Sequence, residues 1–123
     1  MSCSISWSYP TFGNGTFYLW PWGNNGGASA VEENALWPVP RNCRIQNLRI
    51  RIRTHTAGFT PSLVLRQNRA DTMLRINMVS AALTGSDVSH SILLSPGDLI
   101  SLALYGLSTM TAYVVSADFR PAS

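Results

Sequence analysis

Residues 45–56 read IQNLRIRIRTHT. From Leu48 to Arg53 the apolar residues fall on even positions and the arginines on odd ones. Successive side chains of a strand point to opposite faces, so this period of two describes a half-buried strand. Leu48, Ile50 and Ile52 face inward, and Arg49, Arg51 and Arg53 share the outer face. Ile45 has the wrong parity for the inner face. A bulge or bend at Gln46-Asn47 restores the register.

The same period continues downstream. SLVLRQ (62–67) reads as a second strand, NRAD (68–71) as a turn, and 72–78 as a third strand with Leu74, Ile76 and Met78 inward, together a hairpin. Residues 89–94 make a fourth strand. SPGD (95–98) turns the chain, with Pro96 and Gly97 suited to the central positions of a type II turn. Residues 99–105 make a fifth strand with Ile100, Leu102 and Leu104 on one face, and 110–119 the last. The stretch 79–88 reads as an irregular loop. Residues 29–36 fit a short helix or an extended approach to a strand. Closely spaced strands with turns between them mean an all-β antiparallel sandwich or barrel.

Upstream the composition changes. Residues 1–31 carry no charged side chain, yet hold Trp7, Tyr9, Phe12, Phe17, Tyr18, Trp20 and Trp22. Pro10 and Pro21 break any helix there, and GNG (13–15) and GNNGG (23–27) signal turns. One or two short strands are expected near 3–8 and 15–20. Residues 1–28 therefore read as an extended aromatic arm with the first strand or strands, part of one domain with a body at 29–123.

A length of 123 residues suits a single domain with its own core. The net charge is +3, from nine arginines and no lysine against six carboxylates. Such a balance does not by itself indicate nucleic acid, which calls for a clustered basic face or a recognised motif. No run of eighteen apolar residues predicts a membrane helix. The N-terminus lacks the pattern of a secretory signal, so folding in a cytoplasm is expected. Cys3 and Cys43 are too few for a disulfide scaffold and are read as thiols.

Several segments resemble a known pattern: VPRNCRIQNLRIRI (39–52), LVLRQNRADTMLRI (63–76), SDVSHSILLSPGDLISLAL (86–104) and VVSADF (114–119). Their order is similar to that of small jelly-roll domains of bacteriophage virion proteins, namely capsid decoration (cement) proteins and tail-fibre heads. The resemblance covers 29–119 and leaves the aromatic arm outside. It implies a β-sandwich of jelly-roll type. It also implies a structural, non-enzymatic role on the capsid surface, as a homotrimer bound to the major capsid protein. The alternative is a receptor- or glycan-binding fibre head. One departure stands out: the hairpin glycine after Asn68 is Arg69 here. Positive φ at both central positions is then unfavourable, so a four-residue loop is expected.

Neither an enzyme nor a cofactor or metal site is expected from the titratable residues. There is no nucleophile elbow, HExxH motif or phosphate loop. Asp71 and Asp98 fall in turns, where carboxylates bond nearby backbone N–H groups. Glu32 and Glu33 are adjacent, and on an extended chain they face opposite ways. Asp87 and His90 have ligand character, but two ligands are not a site; they read as part of a surface loop. His55 ends the arginine strand. Asn14-Gly15-Thr16 matches a glycosylation sequon, which without a secretory signal is a chance match.

Two features point to binding. Arg49, Arg51 and Arg53 share a face, extended by Arg66 and Arg75 if those lie on neighbouring strands. Such a face either keeps a sheet soluble or meets a partner, since arginine is enriched in interfaces and lysine depleted. Nucleic acid is the weaker reading, because stacking aromatics are not interleaved with the basic strand. The seven aromatics of the first third would bury about 1,000–1,750 Å². Trp7 and Phe17 are expected in the core. Leaving the others in water would exceed the usual apolar patch of a monomer. Phe12, Tyr18, Trp20, Pro21 and Trp22 are therefore expected at an interface, with Trp20-Pro21-Trp22 as stiff anchors. A glycan platform with Asn14, Asn24 and Asn25 is the rival use of these rings.

Overall fold

The computed structural model describes residues 3–12, 15–19, 28–29, 32–55, 62–78, 82–107 and 110–121; for Asn34 and for strand residues 3–12, 15–17, 19, 28–29, 52–55, 106–107 and 110–114 it describes the backbone alone. The described residues form ten strands, in chain order β1 (Cys3–Phe12), β2 (Gly15–Leu19), β3 (Ala28–Ser29), β4 (Trp37–Pro38), β5 (Cys43–His55), β6 (Ser62–Gln67), β7 (Ala70–Asn77), β8 (Thr84–Leu94), β9 (Leu99–Leu107) and β10 (Met110–Pro121). The helical content of the described residues is one 3₁₀ turn, Glu32–Ala35. Four strands form one sheet in the order β1-β10-β5-β8. The second sheet runs β3-β2-β9-β6-β7, with β4 also on β9. Every pairing is antiparallel, and four of the pairs are nested in sequence: β1 with β10, β2 with β9, β5 with β8, and β6 with β7.

The two sheets share one core, so the protein is an all-β sandwich. Ile45, Leu48, Ile50, Val115 and Ala117 from the first sheet cluster with Leu63, Leu65, Leu74, Ile76, Ile100, Leu102 and Leu104 from the second. Each fully buried Leu or Ile adds about 1.5–3 kcal/mol of transfer free energy. The parity problem of β5 is solved by a bulge. Register shifts between Gln46 and Leu48, and Asn47 has φ 55°. Asparagine tolerates that left-handed conformation better than most residues, and the Asn47 amide donates to Asp118 Oδ2 at 2.8 Å. Ile45, Leu48 and Ile50 thereby all reach the interior. The 95–98 turn is also as expected: Asp98 N–H donates to Ser95 O at 3.0 Å, and Gly97 has φ 86°.

Three expectations change. The 68–71 loop is a two-residue turn, with Asn68 at φ 51° and Arg69 at φ 67° and Gln67 paired with Ala70. Side-chain bonds hold this strained turn. Leu99 N–H donates to Asn68 Oδ1 at 2.9 Å, Asn68 Nδ2 donates to Asp98 Oδ1 at 3.1 Å, and the Arg66 guanidinium donates to Arg69 O. Secondly, β8 begins at Thr84, inside the supposed loop. Gly85 makes this possible: a Cβ there would lie 2.6 Å from Ile76 Cγ2 and 2.9 Å from Met78 Sδ, so only glycine lets β7 and β8 close together. Thirdly, the strands expected near 3–8 and 15–20 are present as β1 and β2, but β1 is longer than expected and lies along β10 from Cys3 to Phe12. The core expectation for Trp7 and Phe17 concerns side chains outside the described ones.

Candidate functional site

The outer faces of the two sheets differ. On the second sheet, Val64, Ser101 and Ala103 are buried despite their outward parity. The 3₁₀ turn lies on this side, with Ser101 Oγ donating to Glu32 Oε2 at 2.9 Å. On the first sheet, the described outward residues of β5, β8 and β10 are exposed or half-buried. Arg49 and Arg51 stand exposed on β5. Arg53 shares their parity, its side chain outside the described ones. Arg49 lies between Ser86 of β8 and Ser116 of β10, and Arg51 is paired with Thr84 on β8. A shallow depression of about 700 Å³ opens here, lined by Arg49, Arg51, Thr84, Ser86 and Ser116. Arg44 lies further along β5, its guanidinium donating to Ser91 Oγ at 2.7 Å. Arg120 extends the face on β10, 4.0 Å from Asp118. Leu93, 56% exposed, is opposite Arg44 and adds an apolar spot.

Arg66 and Arg75 do not join this face, because β6 and β7 belong to the other sheet. Arg66 instead anchors a network over the second sheet. Its Nε donates to Glu32 Oε2 at 2.5 Å and its Nη2 to Glu32 Oε1 at 3.1 Å. Its Nη1 donates to Asp71 Oδ1 at 2.6 Å and to the Tyr105 hydroxyl at 3.0 Å. That hydroxyl in turn donates to Asp71 Oδ1 at 2.8 Å. The guanidinium carbon also stands 5.9 Å from the centroid of the Tyr18 ring, within cation–π range. Hydrogen bonding to Glu32 raises the Arg66 pKa against the opposing effect of burial. Burial and the bond to Asp71 push Tyr105 up to about 12. Burial acts to raise Asp71, but the bonds from Tyr105 and Arg66 outweigh it and hold the carboxyl below its ordinary value. With its donors used this way, Arg66 is an internal brace. No local pattern announces it, since its partners lie on four separate segments.

Asp87 and His90 do meet: His90 Nδ1 is 2.8 Å from Asp87 Oδ2. Asp87 is buried in β8, not placed on a loop. Its Oδ1 accepts the N–H groups of Ser89 and His90, at 3.0 and 3.2 Å. Its Oδ2 accepts the Arg75 N–H of β7 at 3.1 Å. The carboxylate therefore caps a break in β8, where pairing to β5 passes from Asp87 to Ser91 as β5 passes from Leu48 to Gln46. It also ties the edges of the two sheets together. Burial acts to raise its pKa, but the bond to His90 and then the backbone donors bring it below the ordinary value. Asp followed by donors two and three residues on is an Asx pattern, so this cap was readable. Among the described residues no group of three or more His, Cys, Asp or Glu could hold a metal ion.

Of the aromatic candidates, Tyr18 is half-buried on β2 and engaged by Arg66. The backbone of Phe12 is opposite Met110 at the end of β1. Trp20, Pro21 and Trp22 lie outside the described residues, as do Asn14, Asn24, Asn25 and the side chain of His55. Asp98 accepts the Ser95 N–H at 2.8 Å, as expected of a turn carboxylate, whereas Asp71 serves side chains. Comparison with protein-family models and with curated proteins finds no match.

Proposed function

We propose that this chain is a jelly-roll virion protein that assembles as a homo-oligomer, a trimer by the resemblance, and decorates the outside of a phage capsid shell without catalysing a reaction. One observation carries the reading: the eight long strands pair as four nested antiparallel couples spread over two sheets, β1-β10-β5-β8 and β2-β9-β6-β7. A long hairpin folded back on itself yields that order, which supports the jelly-roll reading. The sequence segments 39–52, 63–76, 86–104 and 114–119 link the fold to phage shells. Phe12, Tyr18, Trp20, Pro21 and Trp22, with Arg49, Arg51 and Arg53, make the contacts to neighbouring subunits or to the shell. The protein stabilises the shell by mass action, binding assembled capsid and not the loose subunit.

The test is light scattering of the purified chain, followed by co-sedimentation with empty shells of the cognate phage. An oligomer that pellets with shells and raises their melting temperature is expected. A monodisperse monomer that stays in the supernatant overturns the reading. Glycan binding that disappears in Trp20→Ala would replace it with the fibre-head role.

A further inference from the structure

We infer that the outer face of β5, β8 and β10 recognises a carboxylate-bearing polypeptide surface on a different protein. This deepens the shell-binding reading and rests on it for the identity of the partner, not for the chemistry.

Charge placement is the first argument. The described side chains of this face include Arg44, Arg49, Arg51 and Arg120 against one carboxylate, Asp118. Four positive charges less one leaves three, the same as the net charge of the whole chain. Cross-strand neighbours often neutralise a strand arginine. Here the neighbours of Arg49 are Ser86 and Ser116, and the partner of Arg51 on β8 is Thr84. These small hydroxyl residues leave the guanidiniums unneutralised. They also keep the ground low enough for another backbone to approach, and can themselves donate to a carboxylate.

A second copy is excluded as the occupant. The chain has six carboxylates, and each already has donors within its own fold. Glu32 and Asp71 bind Arg66, and Glu33 binds Arg69. Asp87 holds His90, Asp98 holds Gln67 and Asn68, and Asp118 holds Asn47. A copy docking face to face would set arginines against arginines.

Geometry selects the kind of anion. Arg49 and Arg51 are two residues apart on one strand, roughly 6.5–7 Å. Carboxylates on alternate residues of an extended strand have the same spacing, and the planar guanidinium matches a carboxylate through two parallel hydrogen bonds. Single-stranded nucleic acid would call for stacking aromatics beside the basic groups; among the described side chains of this face none is aromatic.

The probe is poly-L-glutamate, titrated against the full chain at low and at physiological salt, with a single-stranded DNA oligonucleotide of equal charge as comparator. The chain should bind polyglutamate more tightly than DNA. Arg49→Ser with Arg51→Ser should weaken this about tenfold, the sum of two good exposed pairs, while Arg75→Ser on the other sheet leaves it unchanged. Arg49→Lys with Arg51→Lys conserves charge and fold and should still lose several-fold, because ammonium lacks the fork. Unchanged binding in the serine pair, full retention in the lysine pair, or tighter binding to DNA would each overturn the inference. Shell binding that survives the serine pair while polyglutamate binding is lost would overturn the shell as the partner of this face. Polyglutamate binding without any shell affinity would leave the face intact and remove the capsid reading.

Discussion

Removing the Arg66 guanidinium should cost more than any surface ion pair. In Arg66→Ala, Glu32, whose side chain is 11% exposed, loses both of its arginine bonds and retains Ser101 Oγ. Tyr105 and Asp71 lose their shared donor. Breaking a buried pair from one side costs about 3–5 kcal/mol. Arg66 is itself 16% exposed, and Asp71 sits at the rim with 44% of its side chain in water, so solvent recovers part of that. Roughly 2–3 kcal/mol remains, or about 10 °C in melting temperature for a domain of this size. Urea unfolding, followed by fluorescence and circular dichroism, gives the free energy. An unchanged dependence on denaturant would show that the native fold is kept. Arg66→Met combined with Glu32→Gln removes both charges together and should cost less than the two single changes added, by about 1–2 kcal/mol. If Arg66→Ala cost under about 0.5 kcal/mol, as an exposed pair does, or if the two changes were additive, Arg66 would be an ordinary surface contact and not an internal brace.

Three further outcomes follow from local geometry. Gly85→Ala drives a Cβ toward Ile76 Cγ2, 2.6 Å away; Met78 can swing aside but a β-branched side chain cannot, so about 1–3 kcal/mol should be lost, and a neutral melt would refute the close approach of β7 and β8. Arg69 adopts φ 67°, which costs a non-glycine residue about 1–2 kcal/mol. Arg69→Gly should therefore melt at or above the parent temperature despite losing the exposed pair to Glu33, while Arg69→Val should melt lower; the reverse order would contradict the turn. Tyr105 has its folded pKa raised to about 12 from an ordinary value of about 10. Its contribution is therefore complete below pH 10 and is lost as pH rises toward 12. Ultraviolet titration of tyrosinate should show a late-ionising component that disappears in Tyr105→Phe; a titration above pH 10 that Tyr105→Phe leaves unchanged would contradict it.

Legibility in the sequence followed the range of the interaction. Alternation is a property of neighbours, so 62–67 was readable to the residue and the Gln46-Asn47 bulge was visible from the parity of Ile45 alone. The same local reasoning failed at Asn68-Arg69. The conformational cost of Arg69 is real, but bonds from Asn68 to Asp98 and Leu99, thirty residues away, compensate for it. It failed again at Arg66 and Arg75, where outward parity was read correctly and the sheet was not. Parity states which side of a strand faces water. It does not state which of two sheets holds the strand, and that assignment decides whether an arginine is braced by Glu32 or left open.

Arg49 and Arg66 are indistinguishable by pattern, each an arginine flanked by apolar residues or amides on a two-residue repeat. In the fold, Arg66 meets Glu32, Asp71 and Tyr105, and Arg49 meets Ser86 and Ser116. Arg66 of the second sheet is neutralised and the arginines exposed on β5 are not, so the two faces differ in outward charge. The carboxylates that would have quenched β5 are spent on holding the 3₁₀ turn, the 68–69 turn and the β7–β8 edge. Internal stability and outward charge thus share one cause. Mutating any of those acids should loosen the fold without adding a positive charge to the arginine face, whereas placing an acid at Ser86 or Ser116 should silence that face and leave the unfolding free energy within about 0.5 kcal/mol of the parent.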